Sequence, residues 1–324
     1  MLARLGQRVL AGIAVVFGVV ILTFLLLHAA PGDPVRLLLG PNATDAQIAA
    51  QRDALGLNRP LAAQFATWVG RFGRGDWGTS IAKGQQVRQL LADAWPATVR
   101  LVGLSLILSY LLGIVLGAVQ AARSGSRTDT VISVLSVTLF AMPGYWLGLM
   151  LVLVFTYWAR WLPAFGAAGF DADYLSGRAW LVDRLRHLAL PLATLTLIGI
   201  GGVARFVRGS MLEVLHQPFI TSARAKGLTE RRVIGHHALR NALTPVVTLL
   251  GLSLPALFSG AVFIEAVFAW PGVGRILVEA VQARDYPVVM AATAVSALLV
   301  VAGNILADLL AGWVDPRLRG ARSA

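Results

Sequence analysis

The sequence predicts an all-α membrane protein with six transmembrane helices and a small extracytoplasmic helical cap. Of its 324 residues, 57% are hydrophobic and 14% are charged, with a mean hydropathy of +0.71. An ordinary soluble domain has about 25% charged residues. Six apolar stretches reach the roughly 20 residues that a helix needs to cross about 30 Å of hydrocarbon. These stretches are residues 9–27, 98–121, 131–157, 188–206, 245–268 and 288–312.

The first stretch follows Arg4 and Arg8 and ends at residues 28–30, so it has some features of a signal peptide. Its apolar core is longer than the usual h-region of about 7 to 15 residues, and five more stretches follow it. We therefore expect an uncleaved first span. The sequence then divides into residues 1–30 with this span, a loop over 31–97, a five-helix core over 98–312 and a tail over 313–324.

The distribution of Lys and Arg predicts that both termini are cytoplasmic. With that orientation, fourteen cations lie inside and thirteen outside, and seven of the outside cations fall in the loop 31–97. The rule applies to loops of up to about 60 residues, so this loop is discounted and the comparison becomes fourteen to six. The net charge of +12 is spread over short segments. This distribution sets topology and does not indicate a nucleic-acid partner.

The loop 31–97 is predicted to form the small extracytoplasmic cap. Residues 43–55 are expected to form a short helix, which residues 58–60 end. A second helix is expected over residues 61–72, because one apolar face repeats at spacings of four, three and four. The glycines that follow favour a flexible turn. The face is Leu61, Phe65, Trp68 and Phe72, and the glycines are Gly73, Gly75 and Gly78.

The cytoplasmic loop 207–244 is expected to form a helix, a turn and a second helix lying against the membrane. Residues 226–229 provide the break: Gly227 suits the end of one helix, and Thr229 suits the start of the next. On the second span, Gly113 and Gly117 form a G-x-x-x-G pattern that allows two helices to approach closely.

The sequence predicts no catalytic residue and no cofactor of its own. It contains no Gly-Lys dipeptide and therefore no phosphate-binding P-loop, so ATP hydrolysis by this chain is excluded. Neither G-x-S-x-G nor H-E-x-x-H occurs, and there is no cysteine. The rings of His236 and His237 diverge by about 100° on a helix and are poorly placed to share a metal.

Asn304 and Asp308 lie four residues apart on the sixth span and therefore share one helix face. A charge at the bilayer centre costs about 2.5–3.5 kcal/mol, so this face is expected to point into the protein. Two interpretations stay open: a translocation path or gate, or a structural hydrogen-bond network.

Several motifs along almost the whole chain resemble the permease subunits of the dipeptide, oligopeptide and nickel ABC importers, specifically the B-type subunit. The N-terminal motifs are Leu22-Thr23-Phe24 with His28, Pro31, Gly32, Asp33 and Pro34, Leu55-Gly56-Leu57 with Pro60, and Gly75-Asp76-Trp77-Gly78-Thr79-Ser80. The later motifs are residues 268–275, Arg284-Asp285-Tyr286-Pro287 and Asp315-Pro316-Arg317. Trp77 replaces the leucine that is commoner in the family.

The most specific match is similar to the E-A-A coupling motif through which ABC importers dock their ATPases. It consists of Thr221, Ser222, Ala223, Arg224, Ala225, Lys226, Gly227 and Leu228, followed by residues 237–243. Thr221 stands where many importers have Glu, and the I-x-L-P ending is absent. Small side chains at Ala223, Ala225 and Gly227 would let a short helix enter a partner's groove, with Arg224 and Lys226 at the rim.

The resemblance implies a type I ABC importer transmembrane domain in a bacterial inner membrane. It also implies a second homologous permease subunit, two ATPase subunits that bind ATP and magnesium, and an extracytoplasmic solute-binding protein. Short peptides are the expected solutes; nickel chelates, glutathione and other small solutes are alternatives. A remote alternative of another class is an ion-driven secondary transporter, for which the sequence shows no convincing inverted repeat.

Overall fold

The computed structural model describes residues 2–30, 32, 34–40, 42–54 and 56–314, and these residues form α-helices without a β-strand. The helices are α1 (Leu2–Ala29), α2 (Pro34–Leu39), α3 (Asp45–Ala54), α4 (Leu61–Gly73), α5 (Val87–Ala122), α6 (Arg127–Ala141), α7 (Gly144–Val152), α8 (Gly177–Leu215), α9 (Pro218–Ala225), α10 (Glu230–Arg232), α11 (Leu239–Val267), α12 (Val273–Gln282) and α13 (Tyr286–Val314). Short π-helices cover Leu153–Trp158 and Val233–Ala238.

The predicted all-α membrane class is confirmed. Among the described residues, four helices are long and apolar enough to cross a membrane, and the bent pair α6 and α7 would be a fifth span. The predicted span over 245–268 falls on α11, where many of the side chains lie outside the described residues. The motif residues Pro31, Asp33, Leu55 and 315–317 also lie outside them.

The third predicted span, residues 131–157, is not continuous. It breaks after α6, and the helical segment that follows turns by 105°. Met142 is extended, with φ −71° and ψ 135°, because a following proline disfavours the helical conformation. Pro143 is thus the cause of the bend. Two other spans are longer than predicted: α5 begins at Val87, and α8 continues as far as Leu215.

The chain divides into two compact units, and the first contains residues 1–98 and 271–301. The predicted cap helices appear here as α3 and α4. Phe65, Trp68 and Phe72 pack against a buried cluster that includes Phe24 and Met290. The Phe24 and Phe65 rings meet at 5.3 Å. Three of the four predicted face residues therefore pack inward, whereas Leu61 is exposed.

Two motifs that are far apart in the sequence meet in the first unit. The carboxylate of Asp285, which is 2% exposed, accepts hydrogen bonds from the Ser80 hydroxyl and from the backbone N–H groups of Ile81 and Ala82, both at 3.1 Å. Three donors stabilise a buried charge that would otherwise be costly. Asp285 thus fixes the loop after α4 to the residues that precede α13.

A second carboxylate supports the same loop. Glu279 on α12 pairs with Lys83 at 2.9 Å and with Arg275 at 2.7 Å. Partial burial raises the pKa of Glu279, whereas the hydrogen bonds from Lys83 and Arg275 lower it. The hydrogen bonds have the larger combined effect, so the net pKa is below its usual value. A lowered native pKa means that this contribution to stability is present above the unfolded-state pKa and is lost as the pH falls through the native one.

The second unit contains residues 99–270 and the chain from Ala302. Helix α8 lies at its centre and packs against α6, α7 and α11. The G-x-x-x-G pattern of α5 lies against the same helix: a Cβ on Gly117 would come within 2.6 Å of the Ala204 carbonyl oxygen, and one on Gly113 within 2.6 Å of Val203 Cβ. The predicted close approach is confirmed.

Substitution of Gly117 by valine is expected to lower the midpoint of thermal unfolding in detergent. The new side chain would overlap α8, and overpacking costs about 1–3 kcal/mol or more. The matched control is Gly103→Val on the same helix, where an added Cβ meets no atom within 4 Å. Equal midpoints for the two variants would contradict the close contact between α5 and α8.

Candidate functional site

Helix α9 and the turn after it occupy the segment that matches the coupling motif. Pro218 is the first residue of α9, a position that tolerates its missing N–H. The helix ends in a Schellman motif: the Gly227 N–H donates to the Arg224 carbonyl at 2.9 Å, and the Leu228 N–H donates to the Ala223 carbonyl at 3.4 Å. Gly227 has φ +77°, which a residue with a side chain rarely adopts. Thr229 then precedes α10, as predicted.

One side of α9 is buried against the rest of the second unit. Ile220 and Ala223, 0% and 7% exposed, pack into an apolar cluster with Val207 and Met211 of α8 and with Val233. The sequence argument that Ala223 enters a partner's groove is therefore wrong. Its small side chain instead allows α9 to lie close to its own chain.

The other side of α9 is open. Thr221, Ser222, Ala225, Lys226 and Gly227 are exposed, and Leu228 packs partly into the cluster. Phe219 is also exposed, by 43%, and sequence reasoning missed it. The signal was an aromatic residue three positions before Ser222, on the same face of the helix. A face of small side chains with one protruding ring is suited to contact with another protein.

Arg224 does not project freely from this face. Its Nε donates to Glu230 Oε1 at 2.7 Å, across the turn. The pair is largely exposed, with side chains 45% and 60% accessible, so its contribution to stability is small. It nevertheless orients Arg224 toward α10, which leaves Lys226 as the exposed cation of the motif that has no partner among the described residues.

An ion pair between Arg208 and Asp129 fixes α8 to α6. The Arg208 guanidinium donates through Nε and Nη2 to the two oxygens of Asp129, each at 2.8 Å. Asp129 also accepts from the Gly125 N–H at 3.0 Å, and Ser126 caps the start of α6. Sequence reasoning treated Arg208 only as a charge that sets topology. Its partner lies 79 residues away, so no local pattern revealed the pair.

The two predicted polar residues of the last span both belong to helix α13. Asn304 is exposed on α13 and does not face the interior of this chain, and the side chain of Asp308 lies outside the described residues. A role in translocation or gating therefore stays a prediction. Within the described part of the chain, no group of three or more His, Cys, Asp or Glu side chains could hold a metal ion.

Two family models match this chain. Residues 109–320, which include α9 and its seat on α8, match the model of the "Binding-protein-dependent transport system inner membrane component". Residues 1–102 match "Binding-prot-dependent transport system membrane comp, N-term". The chain belongs to this family. The predicted identification as a permease subunit of this kind is confirmed, and the chain is a transport component rather than an enzyme.

Relatives match this permease over nearly its whole length. The oligopeptide transport system permease protein AppB of Bacillus subtilis is 40% identical over 98% of this chain and 99% of its own. The di/tripeptide transport system permease protein DppB of Pseudomonas aeruginosa is 36% identical over 99% and 100%. The probable D,D-dipeptide transport system permease protein DdpB of Escherichia coli is 39% identical over 97% and 96%. The permease is a multi-pass inner-membrane protein that works with ATPase and binding-protein components.

Replacing Asp129 with asparagine is expected to destabilise the permease by about 1–3 kcal/mol, because it leaves the Arg208 charge without a carboxylate. This range is below that of a fully buried pair, since the Arg208 side chain is 31% exposed. Chemical denaturation in detergent measures the change. The control Arg224→Gln breaks an exposed pair and should cost at most about 1 kcal/mol. Equal losses would show that the Asp129–Arg208 pair does not anchor α8.

Proposed function

We propose that this chain is a pore-forming permease subunit of an ATP-driven importer for short peptides and that the exposed face of α9 docks an ATPase subunit. One observation carries the docking assignment: α9 is fixed to α8 on one side and presents Phe219, Ser222 and Ala225 on the other. The substrate class is supported by the relatives, whose names specify oligopeptide and di/tripeptide transport.

The complete importer would contain this permease, a second homologous permease, two ATPases and an extracytoplasmic solute-binding protein. ATP and magnesium would bind to the ATPases. With α9 on the cytoplasmic side, both termini are cytoplasmic and the cap of α3 and α4 lies outside, where it can meet the binding protein. The charge asymmetry of the loops supports this orientation.

Coupling follows from how α9 is held. Nucleotide-driven closure of the ATPases would displace α9, and the displacement would pass to α8 through the packing of Ile220 and Ala223 on Val207 and Met211. A switch between outward-open and inward-open states requires that the ATPases contact α9 differently in the two states. A tightly packed seat transmits such a movement, because close-packed cores do not deform continuously.

Substitution of Ala225 by tryptophan is expected to prevent ATPase binding without unfolding the permease, because the new ring would fill the docking face while its own chain leaves that position open. Phe219→Ala should weaken binding by removing the protruding ring. The measurement is affinity purification from mild detergent, with co-eluting ATPases identified and quantified by mass spectrometry.

The matched control is Ala62→Trp, a substitution at an exposed alanine of helix α4, which should leave ATPase recovery at the wild-type level. Recovery of wild-type permease without any P-loop ATPase would overturn the importer assignment. Undiminished recovery with Ala225→Trp would overturn the docking face alone.

A further inference from the structure

A cavity of about 710 Å³ lies within the second unit, and its described lining contains no residue of α9. Its volume falls in the range of about 300–1,000 Å³ that is typical of small-molecule sites. The bend at Pro143 helps to shape it, because Phe140 and Tyr145 on the two sides of the bend line its wall. Helices α5, α8 and α11 supply the remaining walls, which are largely apolar and include the rings of Phe206 and Phe263.

Arg205 is the only charged residue among the described residues that line this cavity. Its guanidinium lies over the Phe140 ring, 5.1 Å from the centroid, and the side chain is exposed. Within the described part of the chain, no carboxylate or carbonyl accepts a hydrogen bond from it. This cation–π contact holds the guanidinium beside the ring and leaves its N–H donors available to a ligand.

Three of the other polar side chains of the wall, those of Ser253, Tyr110 and Ser109, have partners within the chain. The Ser253 hydroxyl donates to the Leu249 carbonyl at 2.9 Å and lies 2.8 Å from the Tyr110 hydroxyl. The Ser109 hydroxyl donates to the Thr196 carbonyl at 3.2 Å. The described lining has no carboxylate that could bind an ammonium group. The cavity is therefore complementary to a ligand with a carboxylate at one end and an apolar body.

We infer that a peptide in transit occupies this cavity, with its C-terminal carboxylate on Arg205 and its last side chain against the aromatic wall. This inference rests on the proposed function and adds to it the orientation in which the peptide is bound. Arg205 recognises the free C-terminus through the two-pronged geometry that matches a carboxylate, while the N-terminus makes no specific contact there. A single charged contact is suited to a transit site, which must also release its ligand.

Because the chain contains no cysteine, a single introduced thiol can report whether a ligand occupies the cavity. A Ser253→Cys variant carries one thiol of nearly unchanged size at the cavity wall, and its alkylation rate is measured in the assembled importer in detergent. The dipeptide Ala-Phe should slow alkylation, and N-acetyl-Ala-Phe should slow it equally. Ala-Phe amide should require about tenfold higher concentration, because its neutral carbonyl accepts a weaker hydrogen bond from Arg205 than a carboxylate does.

Adding Arg205→Gln to this variant should abolish the difference between Ala-Phe and its amide. Arg205→Lys, which keeps the charge without the planar fork, should give an intermediate difference and serves if the glutamine variant fails to assemble. Arg123→Gln, at an exposed arginine outside the cavity lining, should change nothing. In the Ser253→Cys variant that retains Arg205, equal protection by Ala-Phe and its amide, or no protection by either, would overturn the inference.

Two further measurements separate the possible causes of failure. Protection by an anionic phospholipid but not by Ala-Phe would assign Arg205 to lipid headgroups and overturn the inference. Uptake of Ala-Phe by wild-type importer in proteoliposomes with ATPases and binding protein tests the proposed function independently. If uptake proceeds while protection fails, the proposed function stands and the peptide takes another route through the permease.

Discussion

The continuity of helix α8 is the constraint on which the rest of the second unit depends. Its 39 residues extend for roughly 58 Å at 1.5 Å per residue, about twice the hydrocarbon thickness of a bilayer. The same helix forms one wall of the cavity, carries Arg208 and contributes Val207 and Met211 to the cluster that holds α9. A single continuous helix thus joins the proposed docking face to the proposed transit site.

Close packing keeps this helix in register with its neighbours. Membrane helices gain little from a hydrophobic effect between them and associate through close contact and internal hydrogen bonds. Gly113 and Gly117 allow α5 to approach α8, and the Asp129–Arg208 pair fixes α8 to α6. In the first unit, Asp285 has a comparable role, because its three hydrogen bonds fix the loop after α4 to the start of α13.

Much of this architecture could be predicted from the sequence because local signals determine it. The periodic aromatic face predicted α4, the glycine spacing predicted the contact of α5, and Gly227 predicted the end of α9. Pro143 is present in the apolar stretch 131–157, but the prediction used hydropathy alone and therefore gave one continuous span without the bend. The partners of Asp129 and Asp285 were not predictable, since sequence pattern gives no distance between remote segments. Ala223 is buried and Phe219 is exposed because of how the short helix α9 packs against the rest of the chain. Only the tertiary structure specifies that packing.

The central claim is that the open face of α9 contacts an ATPase while the opposite face does not. Because the chain has no cysteine, a photoactivatable maleimide can be attached at one chosen position of the purified permease before the importer is assembled. A probe at Ala225→Cys should form an adduct with the ATPase, and probes at Ala62→Cys on α4 and Ala223→Cys in the buried seat should form none. An ATPase adduct from Ala62→Cys as strong as that from Ala225→Cys, or none from Ala225→Cys, would contradict the account.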